Sequence, residues 1–182
     1  MKNFPRPSVK HKSGTGQRLR VGYVSSDLRD HAVGFALREV LELHDKSNVE
    51  IHAYYCGDPV SNDPTQMRMK AAVDAWHDIG ALSDEQAARQ IASDEIDILI
   101  DVNGYTKHAR MKIFAYRPAP VIVNFCGYPG SIGSPFHQYM IADNEIVPPS
   151  SEIYYSEKVL RVACNQPIDR KRTIAEKPTR QA

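Results

Sequence analysis

An aspartate and a histidine that could move a proton together stand four residues apart, at Asp27 and His31. A carboxylate beside an imidazole orients the ring and favours its charged form, which is typical of a general base. If the chain turns into a helix here, this spacing places both side chains on one helix face. The same spacing occurs by chance in many helices. A second interpretation therefore stays open, in which Asp27 caps a helix and His31 lies at the surface.

Two loops elsewhere combine glycine with polar side chains: residues 103–107 (NGYTK) and residues 126–133 (CGYPGSIG). Glycine lets a backbone approach a ligand closely, and threonine and lysine are natural partners of phosphate or hydroxyl groups. In the second loop, glycines at 127, 130 and 133 are expected to expose N–H groups that form an anion-binding nest. A glycine turn followed by a helix cap is the competing interpretation of the first loop.

Several common site classes do not fit the sequence. The glycine loop lacks the Gly-Lys-Ser/Thr of a Walker loop, and its spacing is not that of a dinucleotide fingerprint, which belongs after the first strand. There is no Gly-x-Ser-x-Gly elbow of an esterase. No two histidines stand at HxH or HxxxH spacing, so no metal site is predicted. The histidines at 44, 52 and 77 are expected to be structural or solvated.

Strands that alternate with helices are expected to position these loops. Short apolar runs rich in β-branched residues predict six strands, and apolar stripes and caps predict four helices. The predicted strands are Leu19–Ser25, Val49–Cys56, Ile96–Val102, Val121–Phe125, Tyr139–Ala142 and Lys158–Val162; the predicted helices are Val33–His44, Thr65–Trp76, Ser83–Ser93 and 110–116. This alternation predicts an α/β fold with a Rossmann-like, doubly wound, mostly parallel sheet. Because such a sheet binds ligands at the carboxyl ends of its strands, we expect the three polar segments to line one cleft.

Composition limits the class of protein further. The 182 residues fit one domain, with a leader expected to be disordered over 1–18, a Rossmann-like lobe over 19–165 and a loose polar tail over 166–182. A net charge of +1 gives no field that would gather nucleic acid or a membrane surface. No apolar run approaches the ~20 residues of a membrane span. Three widely spaced cysteines predict neither a disulfide framework nor a metal knuckle, so a cytoplasmic location is expected.

Four segments, taken in order, resemble one known family. They are RVGYVSSDLRDHAVG at 20–34, DILIDVNGYTKHAR at 97–110, FAYRPAPVIVNFCGYPGSIGSP at 114–135 and YYSEKVLRV at 154–162. Together they are similar to the catalytic region of the O-linked N-acetylglucosamine transferases, which include the SPINDLY-type proteins of plants. The resemblance runs from about Leu19 to near the end of the sequence.

The resemblance implies one lobe of a GT-B type glycosyltransferase, in which two Rossmann-like lobes face each other across a cleft. The family moves N-acetylglucosamine from UDP-GlcNAc to Ser or Thr hydroxyls of proteins, with inversion and without a metal or other cofactor. It also implies roles for particular residues. The catalytic residues would be His31 and Asp27; the donor side would use Thr106, Lys107, Cys126, Gly127, Tyr128, Pro129 and Gly130; the acceptor side would use Ala32, Val33, Asn103 and Tyr105.

The resemblance also implies that this lobe is the amino-terminal one and that two partners of it are missing. In the family, a second, carboxyl-terminal lobe holds most of the UDP pocket, and tetratricopeptide repeats present the acceptor protein. Without the second lobe the leaving diphosphate loses its main electrostatic stabilisation, so the chain alone is expected to be inactive. Two alternatives stay open: a non-catalytic fragment that binds acceptor or sugar, and a related transferase that uses another nucleotide sugar such as GDP-fucose.

Overall fold

A computed structural model describes residues 18–176, so the predicted leader lies outside the described residues except for Arg18. The strands are β1 (Leu19–Ser25), β2 (Val49–Tyr55), β3 (Ala75–Asp78), β4 (Ile98–Asp101), β5 (Val121–Asn124), β6 (Tyr139–Ala142) and β7 (Lys158–Arg161). The helices are α1 (Ala32–Leu43), α2 (Pro64–Ala72), α3 (Asp84–Ser93) and α4 (Met111–Ala115), with a 3₁₀ turn at Pro149–Tyr154. A capping box at Ser83 and Gln86 starts α3, at the position where the spacing predicts it.

All seven described strands are parallel to their neighbours, in the order β3-β2-β1-β4-β5-β6-β7. The chain moves outward from β1 through β2 to β3 and then crosses to the other side of β1 to form β4. The Rossmann-like, doubly wound sheet predicted from the sequence is therefore confirmed. The winding reverses between β1 and β4, and this switch point is where such sheets bind ligands.

Apolar side chains pack on both faces of the sheet, which is why the strands read as nearly continuous apolar runs. On one face, Leu37 and Leu41 of α1 and Met69 of α2 cover β1 and β2. On the other face, Ile91 of α3 and Phe114 of α4 pack with their neighbours over β4 and β5. Each such fully buried side chain contributes about 1.5–3 kcal/mol, so this core holds the strand ends in fixed positions.

The strand β3 corrects one prediction. The expected helix Thr65–Trp76 ends at Ala72, and the residues after it turn into a seventh strand that pairs with β2. Asp74 causes the change of direction: its N–H donates to the Ile51 carbonyl, and its carboxylate accepts the Ile51 N–H, both at 2.9 Å. Val73 is already extended, at φ −95° and ψ 159°.

The segment after β7 is not loose over all of its length. Asp169 is 3% exposed and contacts Arg38 of α1 and Arg68 of α2, at 2.5 and 2.7 Å. Arg170 pairs with Glu39 at 2.9 Å, and the next residue, Lys171, pairs with Glu42. The prediction of a loose polar tail is therefore wrong for residues 169–171, because buried acidic groups on α1 and basic groups on α1 and α2 anchor them.

Candidate functional site

The three polar loops singled out in the sequence meet at one edge of the sheet. β1, β4 and β5 are consecutive parallel strands, so their carboxyl ends lie side by side. The loop that begins at Ser26 follows β1, residues 103–107 follow β4, and residues 126–133 follow β5. The site is therefore at the switch point of the sheet.

Asn103 connects the first two loops. Its side-chain amide donates to Asp27 Oδ2 at 2.9 Å, to Ser26 Oγ at 3.1 Å and to Thr106 Oγ1 at 3.1 Å. Its amide oxygen accepts the backbone N–H of Ser26 at 2.8 Å. Since Asn103 is 3% exposed and Asp27 is 7% exposed, these bonds fix the carboxylate in a largely dry setting.

Asp27 and His31 are close, but not in the way that the helical spacing predicts. The helix α1 begins only at Ala32, and residues 28–31 form a bend before it. His31 itself is the N-cap of α1: its Nδ1 accepts the Val33 N–H at 3.3 Å. Asp27 Oδ2 lies 3.9 Å from the same nitrogen, beyond hydrogen-bond distance. The His31 side chain is 41% exposed and open to a ligand.

The glycines of the two later loops let the loops approach each other. A Cβ on Gly127 would lie 1.8 Å from the Val102 carbonyl oxygen, and a Cβ on Gly104 would lie 2.4 Å from the Tyr128 Cβ. Tyr105 donates its hydroxyl to the Ile132 carbonyl at 2.8 Å and packs edge-on against the Tyr128 ring. The sequence predicts that these glycines let the backbone approach a ligand. At Gly104 and Gly127 they instead let the two loops approach each other.

The predicted anion nest is partly filled by the protein's own carboxylate. Glu157, which is 4% exposed, accepts the Ile132 N–H at 2.6 Å and the Ser131 hydroxyl at 2.8 Å. Within residues 18–176, the N–H groups of Tyr128 and Gly130 have no hydrogen-bond acceptor. Only this first half of the loop remains available to an anion from outside.

Three buried polar side chains that sequence reasoning missed hold these loops. Asp101 accepts the N–H groups of Asn103 and Gly104 at 3.0 and 2.9 Å, and it contacts His137 Nε2 at 3.0 Å. Asn124 donates to the carbonyls at 128 and 130. Asp101 and Asn124 are the last residues of β4 and β5, and a polar residue that ends an apolar strand is the signal that could have identified them.

Cys126 sits in the left-handed region, at φ +74°, where a residue with a side chain is strained. Burial raises the pKa of its thiol to about 11, so the thiol is neutral at pH 7. Cys126 therefore shapes the turn that presents Tyr128 and Gly130, and it does not supply a thiolate nucleophile.

The remaining candidate residues surround these groups. Ala32 and Val33 form the first turn of α1 beside His31, and Lys107 is exposed at the end of its loop. A cavity of about 180 Å³ opens next to Ser26, on the β2 side of the site. Arg29, Asp58 and His108 bring polar groups to its wall. The sequence predicts a cleft here but not this side pocket.

In residues 18–176, one group of histidine and acidic side chains is close enough to hold a metal ion: His52, His77 and Asp94. It belongs to β2, β3 and the end of α3 and is separate from the three loops. The same part of the chain contains no helix that is both long and apolar enough to cross a membrane.

Comparisons with known proteins identify relatives of this chain. The sequence profile of glycosyl transferase family 41 matches residues 2–171. A probable UDP-N-acetylglucosamine–peptide N-acetylglucosaminyltransferase, SEC of Arabidopsis thaliana, is 38% identical over 85% of this chain. The Caenorhabditis elegans enzyme of that name is 41% identical over 79% of it. The structure of a mutant O-GlcNAc transferase of Thermobaculum terrenum superposes with a TM-score of 0.80, at 35% identity over 87% of this chain.

The match covers only a part of each relative. The chain spans 16% of the Arabidopsis protein, 12% of the Caenorhabditis protein and 30% of the Thermobaculum chain. The names of the Arabidopsis and Caenorhabditis proteins specify a nucleotide-sugar donor and a peptide acceptor for those whole proteins.

Proposed function

The chain belongs to glycosyl transferase family 41, and on this premise we propose that it forms the amino-terminal catalytic lobe of a protein O-GlcNAc transferase. In this proposal, N-acetylglucosamine passes from UDP-GlcNAc to Ser or Thr hydroxyls of proteins with inversion. The single observation that carries the proposal is the hydrogen-bonded chain Thr106–Asn103–Asp27 at the switch point, with the open imidazole of His31 beside it.

His31 is the proposed general base. To accept the acceptor's proton on Nε2, the neutral ring must carry its own proton on Nδ1. In the capped state Nδ1 accepts the Val33 N–H, so the neutral ring carries its proton on Nε2. The ring must therefore rotate, lose the Nε2 proton to solvent and gain one on Nδ1, which then donates to Asp27, now 3.9 Å away. Asn103 keeps the Asp27 carboxylate in place for this exchange.

The proposed reaction is a single displacement. The acceptor hydroxyl oxygen forms a bond to the anomeric carbon while the bond from that carbon to the phosphate oxygen breaks. The proton passes to His31 Nε2, and UDP leaves with the bonding electrons. On the donor side, the unbonded N–H groups of Tyr128 and Gly130 and the ammonium of Lys107 are the groups suited to the diphosphate.

We propose that turnover also requires residues outside this sequence, because the chain spans so little of each relative. A carboxyl-terminal lobe and tetratricopeptide repeats are the expected partners. There are two alternatives: a non-catalytic fragment that binds sugar or acceptor, and an enzyme that uses GDP-fucose. The first would transfer no sugar in an assay, and the second would transfer fucose.

The decisive experiment is a chimera. Residues 19–171 of this chain replace the matching segment of the Thermobaculum enzyme, and transfer of radiolabelled sugar to acceptor peptide is measured with UDP-GlcNAc and with GDP-fucose. We expect transfer from UDP-GlcNAc, and a loss of about 100-fold or more in kcat for the His31→Ala chimera. The matched control is His44→Gln, a histidine at the far end of α1, which should retain activity. A folded chimera that transfers no sugar would reject the enzyme proposal.

Metal-free transfer and a cytoplasmic location also belong to the proposal. Activity of the chimera should persist after dialysis against a chelator. The three cysteines are free thiols in the structure, which suits a reducing compartment. Fractionation of cells that carry a tagged chain tests the location directly.

A further inference from the structure

Two histidines and an aspartate lie together on the α3 face of the sheet, away from the proposed active site. His52 is in the middle of β2, His77 is in β3 directly opposite Tyr54, and Asp94 caps the carboxyl end of α3. The cluster belongs to the strands β2 and β3 and to the segment just before β4, whereas the polar loops follow β1, β4 and β5. We propose that these three side chains form a binding site for a divalent transition-metal cation, with Zn²⁺ as the expected occupant.

The distances between ligand atoms suit such a cation. His52 Nδ1 and His77 Nε2 are 3.3 Å apart, and His77 Nε2 is 3.6 Å from Asp94 Oδ2. Two nitrogens that each lie about 2.0–2.1 Å from a tetrahedral Zn²⁺ are separated by about 3.4 Å. All three ligand atoms are within 4.8 Å of one another. The cluster therefore offers two nitrogens and one oxygen at close to the spacing that one ion requires.

Each of the three side chains is also held from behind. His52 Nε2 donates to Glu50 Oε1 at 2.9 Å, and His77 Nδ1 contacts the Gln90 amide at 2.9 Å. Tyr54 donates its hydroxyl to Asp94 Oδ2 at 2.8 Å. Metal-binding histidines typically use their second nitrogen in this way, because the outer bond fixes the tautomer and the direction of the ring.

The proton arrangement allows both an empty and an occupied state. As placed, the Gln90 amide nitrogen donates to His77 Nδ1, so the neutral ring carries its proton on Nε2 and can share it with His52 Nδ1. If the Gln90 amide turns over, its oxygen accepts a proton on Nδ1, and Nε2 becomes free for a metal. Burial lowers the pKa of His77, which keeps the ring neutral at pH 7. The exchange moves one proton within the ring and releases none.

The charges around the cluster favour a cation overall. Asp94 and Glu50 bring two carboxylates, and Glu95 is a third nearby. Two arginines oppose these three carboxylates: Arg18 and Arg20 pair with Glu50 at 3.4 and 3.6 Å, and Arg20 also donates to the Asp94 carbonyl. The side chains of His77 and Asp94 are 18% and 22% exposed, so an ion can enter and a water can complete its coordination.

A cation here would act on stability. It would add a further link between β2, the edge strand β3 and the end of α3, which already meet through strand pairing, the stacked rings of Tyr54 and His77 and the Tyr54–Asp94 hydrogen bond. Because the ion binds only the folded chain, saturating metal should raise Tm.

The test uses the full chain after treatment with a chelator. Titration with Co²⁺ should give the visible absorption bands of a tetrahedral site at one equivalent, and Zn²⁺ should displace the Co²⁺. His77→Gln should weaken Zn²⁺ binding, measured by calorimetry, at least about 100-fold. Glu50→Gln, which removes an outer-shell partner, should weaken it about 10-fold.

His44→Gln and Cys164→Ser are the matched controls, since both positions offer a metal ligand far from the cluster. They should leave affinity and spectrum unchanged. Circular dichroism must show that each variant is folded; Asp94→Asn replaces His77→Gln if the latter is not. The proposal would be overturned if Zn²⁺ does not bind at concentrations up to about 100 μM. It would also be overturned if Zn²⁺ still binds after His77→Gln and Asp94→Asn.

Discussion

The side-chain amide of Asn103 has two hydrogens and three acceptors within reach, on Ser26, Asp27 and Thr106. Among them only Asp27 is a carboxylate, and it makes the shortest of the three bonds. Asn103 is therefore the residue that fixes the position of the Asp27 carboxylate in a setting with little water. His31 contributes less to this network, because it is already engaged as the cap of α1.

The substitution Asn103→Asp tests this role of Asn103. The new carboxylate would lie about 3 Å from Asp27, so the two would share a proton and their pKa values in the folded state would rise above those of the unfolded chain. A raised carboxyl pKa means that stability is highest at low pH and is lost as pH rises through about 4–7. In urea unfolding at pH 5 and pH 8, the free energy of unfolding of the variant should be lower than that of the parent by about 1–3 kcal/mol, with the larger loss at pH 8.

Asn144→Asp is the control for this change, because it adds the same charge at an exposed position. Its effect on unfolding should be within about 0.5 kcal/mol at both pH values. A loss of stability that did not depend on pH would mean that the Asn103 side chain acts through packing and not through its place beside the Asp27 carboxylate.

At the scale of elements, the loops after β4 and β5 behave as one unit. Gly127 lies against the Val102 carbonyl, Gly104 lies against Tyr128, and Glu157 holds the far end of the second loop from the start of β7. The unit has no regular secondary structure, so its shape depends on these contacts rather than on helix or sheet bonds.

Two glycine variants separate the effect of close approach between the loops from the effect of backbone strain. Gly127→Ala puts a methyl group 1.8 Å from a carbonyl oxygen, so the loops must part, and we expect a loss of about 3 kcal/mol or more in the free energy of unfolding. Gly133→Ala meets no atom within 4 Å but has φ +61°, so it should cost only the left-handed strain, about 1–2 kcal/mol. Denaturant unfolding measures both. Equal losses would show that the two loops accept the added methyl group at Gly127 without parting.

The elements show where sequence reasoning succeeds. Six of the seven strands could be predicted, because each is an apolar run bounded by turn residues, and Ser83 and Gln86 signal the start of α3. The strand β3 could not, since Trp76 and His77 give no apolar alternation and only the pairing of Asp74 with Ile51 makes the segment extended. The same limit applies to the site: the three loops could be found, whereas the contact of Glu157, just before β7, with the loop after β5 depends on tertiary structure.

At the scale of the whole molecule, the segment that follows β7 returns across the sheet to α1 and α2. Hydrogen bonds from Arg68, the largest cause, hold the carboxyl pKa of Asp169 well below its usual range. Hydrogen bonds from Arg68, and then from Lys171, lower the pKa of Glu42 to about 2 against the opposing effect of burial. The return of the chain thus depends on two ionised carboxylates, and it closes the helical layer beside the carboxyl-terminal half of α1.

These depressed pKa values fix how stability depends on acid. In the unfolded chain both carboxyls titrate near pH 4, so their contribution is complete above about pH 5 and is lost as pH falls from about 4.5 toward 2. Asp169→Asn removes one of them and leaves Arg38 and Arg68 without that partner. At pH 7 the variant should be less stable by about 1–3 kcal/mol, and the difference should shrink below pH 4, where the parent loses the same interaction.

Glu145→Gln, an exposed carboxylate, is the control and should follow the parent throughout. Denaturant unfolding at pH 7, 4 and 2.5 decides: a constant difference at all three pH values would mean that Asp169 acts through packing, and that charge does not anchor this segment to the helices.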